Sequence, residues 1–63
     1  DTIIGNNCHI SPGGVLCGGV NCGDNVFIGA NATVIQNINI GDESIVGAAA
    51  LVRKNILPKS TFY

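Results

Sequence analysis

A chain of 63 residues with a net charge of −1 and only three Lys and Arg has room for a single small domain, and it lacks the basic surface that nucleic-acid binding requires. Two Phe and one Tyr, with no Met or Trp, exclude a core of bulky side chains. The sequence has no apolar run near the ~18 residues of a membrane span and no recognisable signal peptide, so its three cysteines predict reduced thiols and a cytoplasmic location.

Apolar side chains recur at every sixth residue of the chain. In chain order, the first positions of nine successive hexads are Ile4, Ile10, Leu16, Cys22, Ile28, Val34, Ile40, Val46 and Val52. The fifth positions are also apolar or small, and they are Cys8, Gly14, Val20, Val26, Ala32, Ile38, Ser44, Ala50 and Ile56. A low-complexity linker rich in Gly and Asn would not keep nine apolar positions in register, so the pattern predicts an internally repeated fold.

The fourth position of each hexad predicts where the chain turns. Seven of the nine residues are Asn or Gly, which tolerate a left-handed backbone, and the set is Asn7, Gly13, Gly19, Asn25, Asn31, Asn37, Glu43, Ala49 and Asn55. A short strand followed by a corner every six residues is typical of a parallel β-helix. Three hexads close one triangular coil, so residues 4–57 supply about three coils, and equivalent residues of successive coils are stacked.

The sixth position of each hexad faces outward and indicates a surface for partner subunits. Its three stacked columns are His9/Phe27/Ile45, Val15/Thr33/Leu51 and Asn21/Asn39/Leu57. Two columns are largely apolar, which favours burial against other subunits over the scattered apolar residues that any protein surface carries. A cyclic trimer buries two different faces of each subunit, and this matches two apolar columns and one polar column.

The third position of the hexads contains a strip of small residues, Pro12/Ala30/Ala48, that runs parallel to the axis of the coils. A slender extended ligand would fit along such a strip, although the steric limits of a corner would select small residues as well. Arg53, Lys54 and Lys59 near the C-terminal end are candidates to attract an anionic ligand, or are simply solvated charges.

The run HISPGGVLCGGVNCGDNVFIGANATVIQNINIGD, residues 9–42, resembles the hexapeptide-repeat acetyltransferases, and among them the sialic acid O-acetyltransferase and UDP-4-amino-sugar N-acetyltransferase family. The resemblance implies an all-β fold, a single-stranded left-handed parallel β-helix, over residues 1–63. It also implies a C-terminal domain truncated from a longer protein, a homotrimer, acetyl-CoA as co-substrate, no metal, and a sugar or nucleotide-sugar acceptor. No nucleic acid or membrane partner is expected.

The same resemblance assigns the candidate site. Ala30 and Ala48 match positions that contact the coenzyme, and His9 matches a second histidine on the acetyl-CoA side. The base of the family is a histidine followed directly by an acidic residue, and this motif places the base immediately before Asp1, with Asp1 as its acidic partner. Two other interpretations of His9 stay open, since it is the only histidine: a surface residue at a subunit seam, or the base itself.

The three cysteines also have more than one interpretation. Cys8, Cys17 and Cys22 have zinc-ligand chemistry, but they form no CxxC pair, and a role as small core residues is the favoured interpretation. Their columns stack them on other side chains and not on one another.

Two functions follow from the sequence. The first is an acetyltransferase domain that transfers acetyl from acetyl-CoA to a sugar hydroxyl or amine with the help of a general base. The alternative is a non-catalytic β-helical trimerisation module. The sequence does not distinguish O- from N-acetylation or identify the acceptor sugar.

Overall fold

The computed structural model describes residues 2–63, which form a β-helix of ten two-residue strands. The strands are β1 (Ile3–Ile4), β2 (His9–Ile10), β3 (Val15–Leu16), β4 (Asn21–Cys22), β5 (Phe27–Ile28), β6 (Thr33–Val34), β7 (Asn39–Ile40), β8 (Ile45–Val46), β9 (Leu51–Val52) and β10 (Thr61–Phe62). The described residues contain no α-helix, and hence none long and apolar enough to cross a membrane.

The strands form three parallel sheets, one on each face of a triangular prism. Face A holds β1, β4 and β7; face B holds β2, β5, β8 and β10; face C holds β3, β6 and β9. Every pairing is parallel and joins one coil to the next. The all-β parallel β-helix of about three coils that the six-residue period predicts is therefore confirmed.

Inward first positions stack into the three predicted aliphatic columns. Strand pairing aligns Ile4 with Cys22 and Ile40 on face A, and it aligns equivalent residues of successive coils on faces B and C in the same way. The buried core consists of Val20, Cys22, Val26, Ile28, Ala32, Val34, Ile38, Ile40, Val46, Ala50, Val52 and Ile56. Small and β-branched side chains fill this narrow interior, so the fold needs no large aromatic core residue.

The corners turn at the fourth positions, as predicted. The backbone has positive φ at Asn7, Gly13, Gly19, Asn25, Asn31, Asn37, Glu43 and Ala49. Asn and Gly adopt this conformation at low cost, and Glu43 and Ala49 adopt it because the coils on both sides fix the turn.

Side chains also tie the coils together at the corner between faces A and B. The Asp24 carboxylate accepts a hydrogen bond from the Asn6 N–H, and the Asp42 carboxylate accepts one from the Asp24 N–H, each at 2.8 Å. The acidic column at this corner is therefore structural, since it satisfies backbone donors that strand pairing leaves free.

The regular period ends after Val52, where the prediction is wrong. Ile56 pairs with Ile40 and occupies an inward first position, two residues earlier than the hexad count allows. Asn55, predicted to turn a corner, lies instead next to Asn39 and accepts a hydrogen bond from its N–H at 2.8 Å, and Leu57 does not extend the Asn21/Asn39 column. Lys59 (φ 60°) turns the next corner, and β10 pairs with β8.

Candidate functional site

The outward column of face B carries His9. Its backbone N–H donates to the Val26 carbonyl at 2.9 Å, and strand pairing sets the side chain beside that of Phe27. The two rings stack with centroids 5.1 Å apart and planes 3° from parallel. Phe27 is 41% exposed and Ile45, next in the column, is 45% exposed. Stacking on Phe27 limits rotation of the imidazole and leaves the ring edge, with both nitrogens, outside the stacked contact.

The strip of small residues lies on the corner between faces B and C. Ala30 and Ala48 follow the face B strands β5 and β8, and both are exposed. The Ala49 N–H donates to the Ala30 carbonyl at 2.7 Å, and the Asn31 N–H donates to the Pro12 carbonyl at 3.2 Å. These bonds hold the corners of successive coils one above another, so the methyl groups form a continuous shallow edge.

Packing at this edge depends on Gly29. A Cβ at this buried residue would lie 2.6 Å from the Ala48 nitrogen and 2.7 Å from the Gly47 carbonyl carbon. Any side chain here would therefore push the next coil away and break the alignment of Ala30 with Ala48.

His9 and the alanine strip share one edge of the prism. Ala30 follows Phe27 by three residues and Ala48 follows Ile45 by three. The strip therefore borders the face B column that carries His9 and Phe27. Asp1 lies outside the described residues, and its assignment as the acidic partner of a base stays a prediction.

An open depression of about 280 Å³ lies at the C-terminal end of the coils, lined by Leu51, Arg53, Lys54 and Phe62. Leu51 belongs to face C and Phe62 to face B, the two faces that meet at the alanine strip. The sequence indicated Arg53 and Lys54 as candidate anion contacts, whereas Lys59 is not part of this lining. The sequence does not predict Leu51 or Phe62 as lining residues, and Phe62 is brought here by the two-residue shift after Val52.

The cysteines are all free thiols. Cys22 is buried, and Cys8 and Cys17 are half-buried. Burial raises the pKa of the Cys22 thiol, and the neighbouring Cys8 raises it further. Among residues 2–63, no three His, Cys, Asp or Glu side chains cluster closely enough to hold a metal ion.

The sequence of the chain matches a known protein family. The family described as bacterial transferase hexapeptide (six repeats) matches residues 19–54, more than half of the chain. The chain belongs to this family. A search of curated proteins gives no match.

A solved structure supports the same assignment. The chain is similar to serine acetyltransferase isoform 3 from Entamoeba histolytica, solved in complex with cysteine, with a TM-score of 0.94 and 31% sequence identity. The match covers 98% of the present chain and 25% of that enzyme, so the chain spans about a quarter of its length. This hexapeptide-repeat chain thus has an acetyltransferase as a structural neighbour.

Proposed function

We propose that the chain is part of an acetyltransferase that transfers acetyl from acetyl-CoA to a hydroxyl or amine of a sugar or nucleotide sugar. One observation carries the proposal: His9, stacked on Phe27, leads directly to the strip containing Ala30 and Ala48, on the edge of a hexapeptide-repeat fold. The structural neighbour is itself an acetyltransferase.

The coenzyme would lie along the corner between faces B and C. Pantetheine is narrow and extended, and the methyl groups of Ala30 and Ala48 leave room for it beside the backbone. Arg53 and Lys54 line the depression at the C-terminal end of the coils, on the corner that follows face C, and two cations there suit the phosphates of a coenzyme A that extends past the strip. His9 at the other end would contact the acetyl-bearing region.

The chemistry needs a base for the acceptor and a path for the thiolate leaving group. A histidine encoded immediately before Asp1 would take the acceptor proton while the Asp1 carboxylate orients its imidazole. The acceptor oxygen or nitrogen then attacks the thioester carbonyl carbon. Collapse of the tetrahedral intermediate breaks the C–S bond, and the coenzyme thiolate receives the proton from the base.

A homotrimer would complete the site. Val15 and Leu51 on face C are 49% and 51% exposed, and Phe27 and Ile45 on face B are similarly exposed. Face B of one subunit can pack against face C of the next around a threefold axis. This packing brings His9 and the alanine strip into a cleft between subunits. A cytoplasmic location agrees with three free thiols and the use of acetyl-CoA.

The sugar acceptor rests on the resemblance of residues 9–42 to sugar acetyltransferases. The structural neighbour is named for serine, also a hydroxyl acceptor, so serine belongs in any acceptor panel. The alternative function, a non-catalytic trimerisation module, is favoured by the same exposed apolar columns on faces B and C.

The test is an acetyl-transfer assay on the protein that contains this chain, with release of coenzyme A thiol as the readout. The acceptors are sialic acid, UDP-4-amino sugars and serine. Turnover on a sugar supports the proposal, turnover on serine alone overturns the sugar acceptor, and no turnover on any acceptor favours the trimerisation module.

Substitution of His9 separates the possible roles of this residue. A coenzyme contact predicts that His9→Ala raises KM for acetyl-CoA roughly tenfold and largely retains kcat. A general base predicts a fall in kcat of roughly 10²–10⁴-fold. Asn21→Ala is the matched control, because Asn21 is also an exposed sixth-position residue but lies on face A.

A further inference from the structure

Cys8 and Cys22 lie together where face A turns into face B. Cys22 ends strand β4 and is 5% exposed, and Cys8 precedes strand β2 in the coil below. The Cys8 thiol donates a hydrogen bond to the carbonyl oxygen of Gly23, the residue next to Cys22, at 3.1 Å. The Cys8 side chain is therefore directed at the backbone that carries the second thiol.

The repeated structure gives a second indication of how closely Cys8 and Cys22 approach each other. Gly14 and Ile28 occupy the positions equivalent to Cys8 and Cys22 one corner further along the chain. A Cβ built on Gly14 would lie 3.5 Å from Cγ2 of Ile28. The γ atom of a cysteine is its sulfur. By equivalence with Gly14 and Ile28, the Cβ of Cys8 lies at contact distance from the γ position of Cys22. This approach is compatible with the Cβ separation of about 3.5–4.5 Å that a disulfide requires.

The effect of Cys8 on its neighbour agrees with this proximity. Besides burial, Cys8 contributes to raising the pKa of the Cys22 thiol. Cys17 makes no such contribution, and it lies at the corner that follows face C.

We propose that Cys8 and Cys22 are a redox pair that forms a disulfide between the first and second coils on exposure to a peroxide. The Cys8 sulfur, the more exposed of the two, attacks one peroxide oxygen, which gives a sulfenic acid and releases water. The Cys22 thiol then attacks the Cys8 sulfur, the S–S bond forms, and the sulfenic oxygen leaves as a second water. Two thiols are oxidised by two electrons and one hydrogen peroxide is reduced to two waters.

The disulfide would act on the strand that carries His9, since Cys8 immediately precedes it. A bond to Cys22 closes a loop of roughly 15 residues and removes conformational freedom from the unfolded chain, so the oxidised protein has the higher Tm. This inference does not depend on the proposed acetyl transfer, because it concerns two thiols on the inner side of the coil.

The test is treatment of the purified protein with hydrogen peroxide, followed by peptide mapping and thiol counting in denaturant. We expect one intramolecular Cys8–Cys22 bond, loss of two of the three thiols, a raised Tm, and full reversal by dithiothreitol. Cys17→Ser should behave as the unmodified protein does.

Cys8→Ser and Cys22→Val should each abolish the bond and the rise in Tm. Valine keeps the core position apolar, so the second variant preserves packing on the Ile4/Ile40 column. A disulfide that involves Cys17, a link between two molecules, or sulfinic acid on Cys8 without a bond to Cys22 would overturn the proposal.

Discussion

Ile56 pairs with Ile40 across a shortened coil, whereas the inward residues of the preceding coils pair at the regular hexad spacing. The shift shortens the corner after Val52 to Arg53 and Lys54, and it brings β10 onto β8. It also creates contacts that the regular repeat does not contain.

The buried hydroxyl of Ser44 makes one of these contacts. Ser44 is 0% exposed, and its Oγ donates to the Leu57 carbonyl at 3.0 Å. Ser44→Ala leaves that carbonyl without its donor in a part-buried site, so we expect the free energy of unfolding to fall by about 1–3 kcal/mol. Urea denaturation measures the change. The control is Ser60→Ala, in the same column but half-buried, which should cost less than about 0.5 kcal/mol. Equal losses in the two variants would contradict the role of the Leu57 contact.

The spacing of the coils along the alanine strip predicts that alanine is much more destabilising at Gly29 than at Gly14. Gly29→Ala places a methyl group 2.6 Å from the Ala48 nitrogen, and this backbone atom cannot move without separating the coils. We expect a loss of at least about 2 kcal/mol or failure to fold. Gly14→Ala should cost less than about 1 kcal/mol, because Ala32 and Ala50 already fill the same column in the next two coils. Thermal unfolding of the two variants compares them, and a tolerated Gly29→Ala would show that the spacing is not fixed.

Burial of Cys22 predicts a loss of stability in alkali. The folded state raises the pKa of this thiol above its ordinary value of 9.0. Above that pH the unfolded chain loses the thiol proton first and is stabilised by doing so, and the free energy of unfolding therefore declines until the folded-state pKa is passed. Cys22→Val should show a shallower decline over the same pH range in urea titrations with reductant present. Parallel slopes for the two proteins would mean that the thiol does not contribute.

The ring stack predicts that Phe27 positions His9. Phe27→Leu keeps an apolar side chain on face B but removes the ring that lies 5.1 Å from the imidazole. We expect the His9 ring protons to shift in the NMR spectrum as the ring current is lost, and KM for acetyl-CoA to rise several-fold. Ile45→Leu, one coil along the same column, is the control and should change neither. Unchanged His9 resonances in Phe27→Leu would contradict the stacked arrangement.

The sequence predicts most of this fold because the constraint on each hexad is local. An inward aliphatic residue such as Ile28 and a corner residue such as Asn31 are required by the backbone of each coil, whatever lies elsewhere. The change of register at Ile56 was not predictable in this way, since Asn55 suits a corner as well as it suits the contact with Asn39. The depression lined by Phe62 depends on that shift and was missed for the same reason.

The side-chain geometry of the site was less predictable from the sequence than the fold. The placement of His9 in an outward column with Phe27 follows from the period, but the parallel ring stack depends on side-chain rotamers that a period does not specify. Similarly, column assignment separates Cys8 from Cys22, whereas the hydrogen bond from the Cys8 thiol to the Gly23 carbonyl, next to Cys22, runs diagonally between two coils.

The central claim is that the corner between faces B and C binds coenzyme A, and calorimetric titration with coenzyme A tests it most directly. Ala48→Glu places a bulky negative charge on the strip, while Asn25→Glu places the same charge on an exposed residue of the corner between faces A and B, where Glu43 already occupies the equivalent position of the next coil. We predict saturable binding that Ala48→Glu weakens at least tenfold and Asn25→Glu leaves unchanged. No binding by the unmodified protein, or equal binding by both variants, would contradict the account.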